Sequence, residues 1–312
     1  MDTHKGINEL IKEFLLELDC KSNTIATYRR TLAIWVRWMT QNANIKNPTK
    51  ADMIRYKTYL VESHQKTTVD NYLASVKLLF KWLNDKRICD DVIKGIHQVS
   101  RYKGYRRGYL TPDQVSDMLS LMKKETLIDL RNFAIVNLMV RTGLRCSEVI
   151  SLNVCDFILK DDRRALSVQR KGHNEKDSPI GITPSISIPI LKYLNIRGEF
   201  TETESLFASE SVRAKAHLST ATVSRAVMSA MKLIGIKDKR MTAHSLRHSA
   251  AINALQSGKS SIYEVQQMLG HSSPNTTMIY LRELERENLE AAASIRSLDS
   301  IYQIRDEPPI NV

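Results

Sequence analysis

Cysteine is scarce in this sequence, and long apolar runs are missing from it. The 312 residues include only four cysteines, none in a Cys-x-x-Cys pair: Cys20, Cys89, Cys146 and Cys155. Such scattered cysteines argue against a zinc ribbon and against a secreted, disulfide-linked scaffold. The first residues lack a signal-peptide core, and no charge-free apolar stretch is long enough to cross a bilayer. We therefore expect a cytoplasmic protein without membrane spans.

Acidic residues are outnumbered, and the imbalance is uneven along the chain. Lys and Arg number 46 against 34 Asp and Glu, which gives a formal charge of +12. Residues 1–107 hold 20 basic and 11 acidic side chains, whereas residues 108–312 hold 26 and 23. A positive field on one module suits a polyphosphate partner, because neutralised phosphates release condensed counterions. Charge alone leaves open whether the protein binds nucleic acid or is merely basic and soluble.

The length and the residue patterning predict two domains. Residues 1–100 show apolar side chains at three- and four-residue steps, broken by short polar turns, which predicts a bundle of four helices. Ser22 is predicted to cap the second of these helices. The basic segment 101–109, RYKGYRRGY, is predicted to be an interdomain linker. Residues 110–300 form the second predicted domain, and 301–312, with a Pro-Pro pair, are expected to be a frayed tail.

Capping and turn residues place the elements of the second domain. Thr111 and Pro112 suit the N-cap and first position of a helix, and Gly143 suits the left-handed end of the helix that starts at Leu127. Residues 155–182 break the helical pattern and predict a small antiparallel sheet. Helices are predicted again after Pro184. The expected fold class is mainly α with a small antiparallel β-sheet.

Four short stretches of the second domain hold the chemically useful side chains. They read TGLRCSEV (142–149), RKGH (170–173), HSLRH (244–248) and LGHSSPNTTMIYL (269–281). Arginine forks fit phosphate oxygens, and a tyrosine close to positive charge can act as a nucleophile. No Asp-x-Asp motif or carboxylate cluster accompanies these stretches, which argues against a two-metal nuclease. The set favours metal-free attack on a phosphodiester.

A zinc site is the alternative reading of one of these stretches. His244 and His248 are four residues apart, which is zinc-ligand spacing on a helix. The residues between them lack the glutamate of a zinc-protease helix, and Arg247 would repel the metal. We therefore expect no metal ligands here.

The order and spacing of these side chains resemble the tyrosine recombinase (phage integrase) family. That family carries the pattern Arg, Lys, His-x-x-Arg, His or Trp, then Tyr, which falls here on Arg145, Lys171, His244, Arg247, His271 and Tyr280. The resemblance implies a helical, SAM-like core-binding domain and a mixed α/β catalytic domain that together clamp duplex DNA. It also implies site-specific DNA recombination through a 3′-phosphotyrosyl intermediate and a free 5′-hydroxyl, without a metal or other cofactor.

The resemblance implies a role for each matched residue. Arg145 and Arg247 would grip the scissile phosphate, and Lys171 would protonate the departing 5′-oxygen. His244 would assist proton transfer from the nucleophile Tyr280, whereas His271 would hydrogen-bond the phosphate. Glu148 is expected to be an acidic support for this set. The residues expected to bind DNA lie on the basic first module and the linker: Arg29, Arg30, Lys77, Lys81, Arg106 and Arg107.

This sequence departs from the family pattern within the predicted sheet, and two alternative functions stay open. Many relatives have Gly-Lys-Gly followed by Lys-x-Arg, but here the residues are Arg170-Lys171-Gly172 and then Lys176-Asp177. After Tyr280, an apolar stripe predicts a further helix; the stripe consists of Leu284, Leu289, Ala292 and Ile295. Such a helix fits either the core of its own domain or, as the resemblance implies, a neighbouring copy in a tetramer on DNA, within the nucleoid. The alternatives are a type IB topoisomerase-like nicking and resealing enzyme, and a catalytically silent DNA-binding accessory protein.

Overall fold

The computed structural model describes residues 6–97, 99, 108–160, 163–170, 175–209, 217–238 and 240–288. The chain divides into two compact units, Met1–Lys103 and Gly104–Val312. Several predicted features lie outside the described residues. They are Lys171, Arg106 and Arg107, most of the linker, the frayed tail, and the helix beyond residue 288.

The first unit is built from amphipathic helices that enclose an apolar core. Trp35 and Phe80 are fully buried there and meet edge to face, with ring centroids 5.6 Å apart. Lys21, rather than the predicted Ser22, is the N-cap of the second helix, and Ser22 is its first residue. The reason is that Lys21 has the extended backbone of a cap while Ser22 is already helical. The helices of this unit are α1 (Ile7–Glu17), α2 (Ser22–Asn42), α3 (Lys50–Ser63) and α4 (Lys66–Asp85).

The second unit packs helices around the buried helix α6. Helix α6 contacts α8, α9 and α10, and these contacts bury nearly all its faces. The helices of this unit are α5 (Pro112–Leu121), α6 (Leu127–Thr142), α7 (Cys146–Ile150), α8 (Pro184–Arg197), α9 (Thr220–Leu233), α10 (Ala243–Gln256), α11 (Ile262–Leu269) and α12 (Pro274–Asn288).

The predicted antiparallel sheet is present in the second unit. Its strands are β1 (Phe157–Lys160), β2 (Arg163–Val168) and β3 (Ser178–Gly181), in the order β1-β2-β3. In the register Leu166 lies opposite Phe157 on one side and Ile180 on the other. Leu166 is fully buried against the helical core, so one face of the sheet anchors it to the helices. The predicted fold class, mainly α with a small antiparallel sheet, is confirmed.

Two predicted helix ends are also confirmed, and one of them leads into the candidate site. Thr111 caps α5 by accepting a hydrogen bond from the Gln114 backbone N–H, with Pro112 as the first helical residue. Gly143 ends α6 with φ of 66°. A Cβ atom on Gly143 would lie 2.5 Å from Leu269 Cδ2. Glycine is therefore required here both by the left-handed backbone and by the approach of α11.

Candidate active site

Glu148 lies at the centre of a buried cluster of arginines. Arg145 is the N-cap of α7, and its backbone N–H donates to Glu148 Oε2 over 2.9 Å. Its Nη1 donates to Glu148 Oε1 over 2.6 Å. Glu148 Oε2 also lies 3.7 Å from Arg170 Nη1 and 3.9 Å from Arg247 Nη1. One carboxylate therefore balances three guanidinium groups, which leaves the cluster with excess positive charge.

Arg145 and Arg247 differ in their access to solvent. The Arg145 side chain is 23% exposed, whereas that of Arg247 is 1% exposed. Arg247 projects from α10, and its two terminal nitrogens donate to the carbonyls of Gly143 (2.8 Å) and Leu269 (2.7 Å). Burial, with the nearby charge of Arg145, lowers the pKa of Arg247 to about 10. It still carries its charge at neutral pH.

Arg170 is the third cation of this cluster, and the sequence predictions did not assign it to the site. It follows strand β2 and is 6% exposed. Its Nη2 donates to the Met268 carbonyl over 2.8 Å and its Nη1 to the Leu269 carbonyl over 3.2 Å. Burial lowers its pKa. The only sequence signal is that arginine stands where the hairpin pattern of many relatives has glycine.

His271 and Tyr280 lie next to each other beside this cluster. Their rings are nearly parallel, with centroids 6.2 Å apart. His271 Nδ1 is 2.8 Å from Thr277 Oγ1, and Thr277 is fully buried. Burial, together with the charges of Arg247, Arg145 and Arg170, lowers the pKa of His271 to about 4. The imidazole is therefore neutral at pH 7 and can donate or accept a hydrogen bond.

Tyr280 is buried within α12, where it packs with Ala251, Leu269 and Leu284. Burial raises the pKa of the Tyr280 hydroxyl, and the neighbouring Arg247 and Arg145 oppose that rise. A positive environment close to a phenol is the condition under which its phenolate becomes accessible.

The two histidines of α10 occupy different environments. His244 is partly exposed near the start of the helix, and its charge is among those that act on His271. His248 is fully buried, with its ring 5.8 Å from that of Tyr109 and 5.1 Å from that of Tyr280. These contacts give His248 a role in packing. They also show that Tyr109, at the end of the predicted linker, packs within the second unit.

The structure describes four of the side chains predicted to bind DNA. Arg29 and Arg30 on α2 and Lys81 on α4 are exposed. Lys77 is half-buried, and its Nζ donates to the Ile96 carbonyl. Lys77 is thus engaged in holding the chain that follows α4, whereas the other three point their charges at solvent.

The described ranges contain neither a metal-binding cluster nor a membrane-spanning helix. Within those ranges, no group of three or more His, Cys, Asp or Glu side chains is arranged to hold a metal ion. No helix of those ranges combines the length and apolar character that a bilayer crossing requires.

Comparison with known proteins identifies the family to which this chain is similar. Residues 108–287 match the phage integrase family, and residues 8–87 match the phage integrase N-terminal SAM-like domain. The tyrosine recombinase XerD of Listeria monocytogenes is 27% identical over 288 residues, which cover 88% of this chain and 94% of XerD.

Two solved structures are similar in fold. The XerH site-specific recombinase bound to a palindromic difH substrate has a TM-score of 0.71 at 21% identity, covering 88% of this chain and 80% of that one. A lambda integrase tetramer bound to a Holliday junction has a TM-score of 0.69 at 19% identity, covering 89% of this chain and 78% of that one.

The chain belongs to the phage integrase family. The prediction of a tyrosine recombinase with the family's two-domain architecture is confirmed. The comparisons support a site-specific DNA recombinase and do not support the topoisomerase or silent accessory alternatives.

Proposed function

We propose that this recombinase cuts and rejoins duplex DNA at specific sites through a covalent bond between Tyr280 and a 3′-phosphate. The observation that carries the proposal is the meeting, in one buried cluster, of arginines from three distant parts of the chain with His271 and Tyr280 beside them. Arg145 and Arg247 are the phosphate-binding residues. Their forks stabilise the negative charge that develops on the non-bridging oxygens.

The proposed cleavage step conserves atoms and charge. The Tyr280 oxygen attacks phosphorus, the bond between phosphorus and the 5′-oxygen breaks, and a 3′-phosphotyrosine forms. His244 takes the proton of the phenol, and Lys171 supplies a proton to the departing 5′-oxygen. His271, neutral at pH 7, hydrogen-bonds the phosphate. The reverse reaction with a different 5′-hydroxyl rejoins the strand and completes exchange, so no metal or energy-rich cofactor is needed.

The first unit is the proposed main source of non-specific DNA affinity. Arg29, Arg30 and Lys81 are exposed and free of any ion pair within the described residues, so they suit phosphate contacts. Lys77 and the linker residues Arg106 and Arg107 remain proposed contacts. The nearly balanced charge of residues 108–312 is expected to give weak binding when this part is alone.

Assembly of four copies on DNA through the C-terminal segment is a further part of the proposal. Lambda integrase is a tetramer in its complex with a Holliday junction. Leu284, the first residue of the predicted apolar stripe, is buried beside Tyr280 in its own unit. The docking segment proposed here is therefore the part of the stripe that follows Asn288, the last described residue. Truncation after Asn288 should leave binding to a single site unchanged and should weaken strand exchange.

The test first traps the covalent protein–DNA complex and then measures strand exchange between two duplexes. A library of nicked suicide duplexes, incubated with the protein in EDTA, should give SDS-resistant adducts whose strands identify the site. Two duplexes of unequal length that carry this site are then mixed. A recombinase produces the two exchanged lengths, whereas an enzyme that only nicks and reseals returns the parental lengths. Parental lengths alone, from a protein that forms adducts, would overturn the proposal.

A further inference from the structure

Burying the charged side chain of Arg170 carries a considerable cost in desolvation free energy. A guanidinium taken out of water loses strong hydration, and only good hydrogen bonds compensate for that loss. Arg170 finds them at the carbonyls of Met268 and Leu269, nearly 100 residues further along the chain. These are among the last carbonyls of α11, which have no partner within their own helix. Arg170 therefore ties the end of β2 to the end of α11.

The end of α11 is also where the candidate phosphate-binding groups converge. The Leu269 carbonyl accepts from Arg170 Nη1 and from Arg247 Nη2, so one oxygen orients both guanidinium groups. The next residue, Gly270, has φ of 62° and ends the helix. A Cβ atom at Gly270 would lie 2.5 Å from Arg170 Nε. The arginine thus lies directly against the turn from Leu269 to His271.

We infer that Arg170 is a positioning residue that fixes the Leu269–Gly270–His271 turn and thereby holds the His271 imidazole in place at the candidate phosphate site. The inference deepens the proposed function and rests on it, because it assigns a support to a residue already proposed to bind the phosphate. The rest of the turn is held by Gln266. Its carbonyl accepts from the His271 backbone N–H (3.1 Å), and its Nε2 donates to the His271 carbonyl (3.0 Å).

The protonation of His271 gives a readout that a merely structural role would not change. Burial and the surrounding cations together hold the pKa of His271 at about 4. Removing the Arg170 charge and loosening the turn should both raise the pKa of His271, because each change makes the charged imidazolium easier to form. The charged or titratable groups around His271 come from several elements: Arg145 and Glu148 at α7, Arg170 after β2, His244 and Arg247 on α10, and Tyr280 on α12.

The chain offers a matched control for the loss of a buried arginine. The Arg197 side chain is also 6% exposed and binds two backbone carbonyls and one carboxylate. Its Nη1 donates to the carbonyls of Ser205 and Leu206, and its Nη2 to Glu204. These partners of Arg197 belong neither to α11 nor to the Glu148 ion pairs. Arg197→Gln thus matches the chemistry of Arg170→Gln without touching the turn.

The experiment compares Arg170→Gln, Arg170→Lys and Arg197→Gln in the full chain. NMR of imidazole-labelled protein from pH 5 to 7.5 follows His271, assigned from the resonance lost in His271→Gln. His271 of the wild type and of Arg197→Gln should stay neutral throughout. In Arg170→Gln it should titrate within this range, and Arg170→Lys should lie between. An unchanged His271 titration in Arg170→Gln, or the same change in Arg197→Gln, overturns the inference.

Cleavage measurements separate this inference from the proposed function. On the trapped suicide duplex, Arg170→Gln should slow single-turnover cleavage by about 10- to 100-fold, the range expected when a reacting group is misplaced by about 1 Å. The double variant Arg170→Gln/His271→Gln should cleave only slightly more slowly than His271→Gln alone, because both changes remove the same contact. Fully additive losses would contradict positioning through His271. If the NMR change also occurs in Arg170→Lys, which keeps the charge, but His271→Gln cleaves normally, positioning stands and the proposed phosphate role of His271 fails.

Discussion

Replacing Glu148 by glutamine should destabilise the second unit and make it respond to anions. The carboxylate accepts two hydrogen bonds from Arg145, at 2.6 and 2.9 Å, and lies within 4 Å of two further guanidinium groups. Glutamine keeps one oxygen but turns an N–H₂ group toward these donors. Breaking a buried ion pair from one side costs about 3–5 kcal/mol. The 23% exposure of Arg145 favours the lower end, about 3 kcal/mol.

The protein offers separate optical probes for this measurement. The three tryptophans, Trp35, Trp38 and Trp82, all lie in the first unit, so their fluorescence serves as an internal control. Far-UV circular dichroism reports the helices of both units. A loss of about 3 kcal/mol should lower the melting temperature of the second unit by about 6–12 °C. The fluorescence transition should not move.

Sulfate distinguishes a charge effect from lost packing. Without Glu148 the three arginines repel one another more strongly, so an anion that binds the folded cluster stabilises it by mass action. Sulfate, compared with chloride at equal ionic strength, should therefore raise the melting temperature of Glu148→Gln more than that of the wild type. Glu204→Gln, which breaks the pair with Arg197, should show no such difference. A loss below about 1 kcal/mol, or equal sulfate effects in all three proteins, would refute the reasoning.

Three further outcomes follow from the site. Arg145→Ala and Arg247→Ala should each slow cleavage by about 100- to 1,000-fold in single-turnover assays, since each removes donors aimed at transition-state charge; a change below tenfold would contradict this. Lys171→Ala should cleave slowly, but a substrate with a 5′-bridging sulfur should restore the rate, because a thiolate leaves without a proton; equal defects on both substrates would remove Lys171 from the general-acid role. His271 should contribute a loss of about 3 kcal/mol in stability as the pH drops from 6.5 toward 4, because unfolded His271 takes up a proton that the folded form, with its pKa of about 4, does not. Urea titrations of His271→Gln should lack most of this fall.

Local patterns in the sequence were sufficient for most of the fold. The cap at Thr111, the left-handed end at Gly143 and the hairpin segment each depend on a few neighbouring residues, and all three are present. The cap assigned to Ser22 was wrong by one residue. Nothing in a lysine side chain signals the extended backbone that makes Lys21 the cap.

Long-range contacts set the limit of sequence prediction for the site. The order of the arginine, histidine and tyrosine motifs marked Arg145, Glu148, Arg247, His271 and Tyr280. Arg170 was not predicted as a site residue, because its burial depends on the carbonyls of Met268 and Leu269, which only the tertiary fold brings close to it. The sequence left open whether the stripe residue Leu284 packs in its own domain or on a neighbouring copy, and it packs beside Tyr280. A helical apolar stripe does not say which chain covers it.

The covalent role of Tyr280 is tested most directly by mapping the DNA-linked peptide. The protein is trapped on a suicide duplex in EDTA, digested with nuclease and protease, and analysed by mass spectrometry. The proposed mechanism predicts a nucleotide 3′-phosphate on the hydroxyl of Tyr280, and no adduct from Tyr280→Phe, which should still bind the duplex because it loses one hydroxyl and no charge. A nucleotide on another residue, or an adduct formed by Tyr280→Phe, would contradict it.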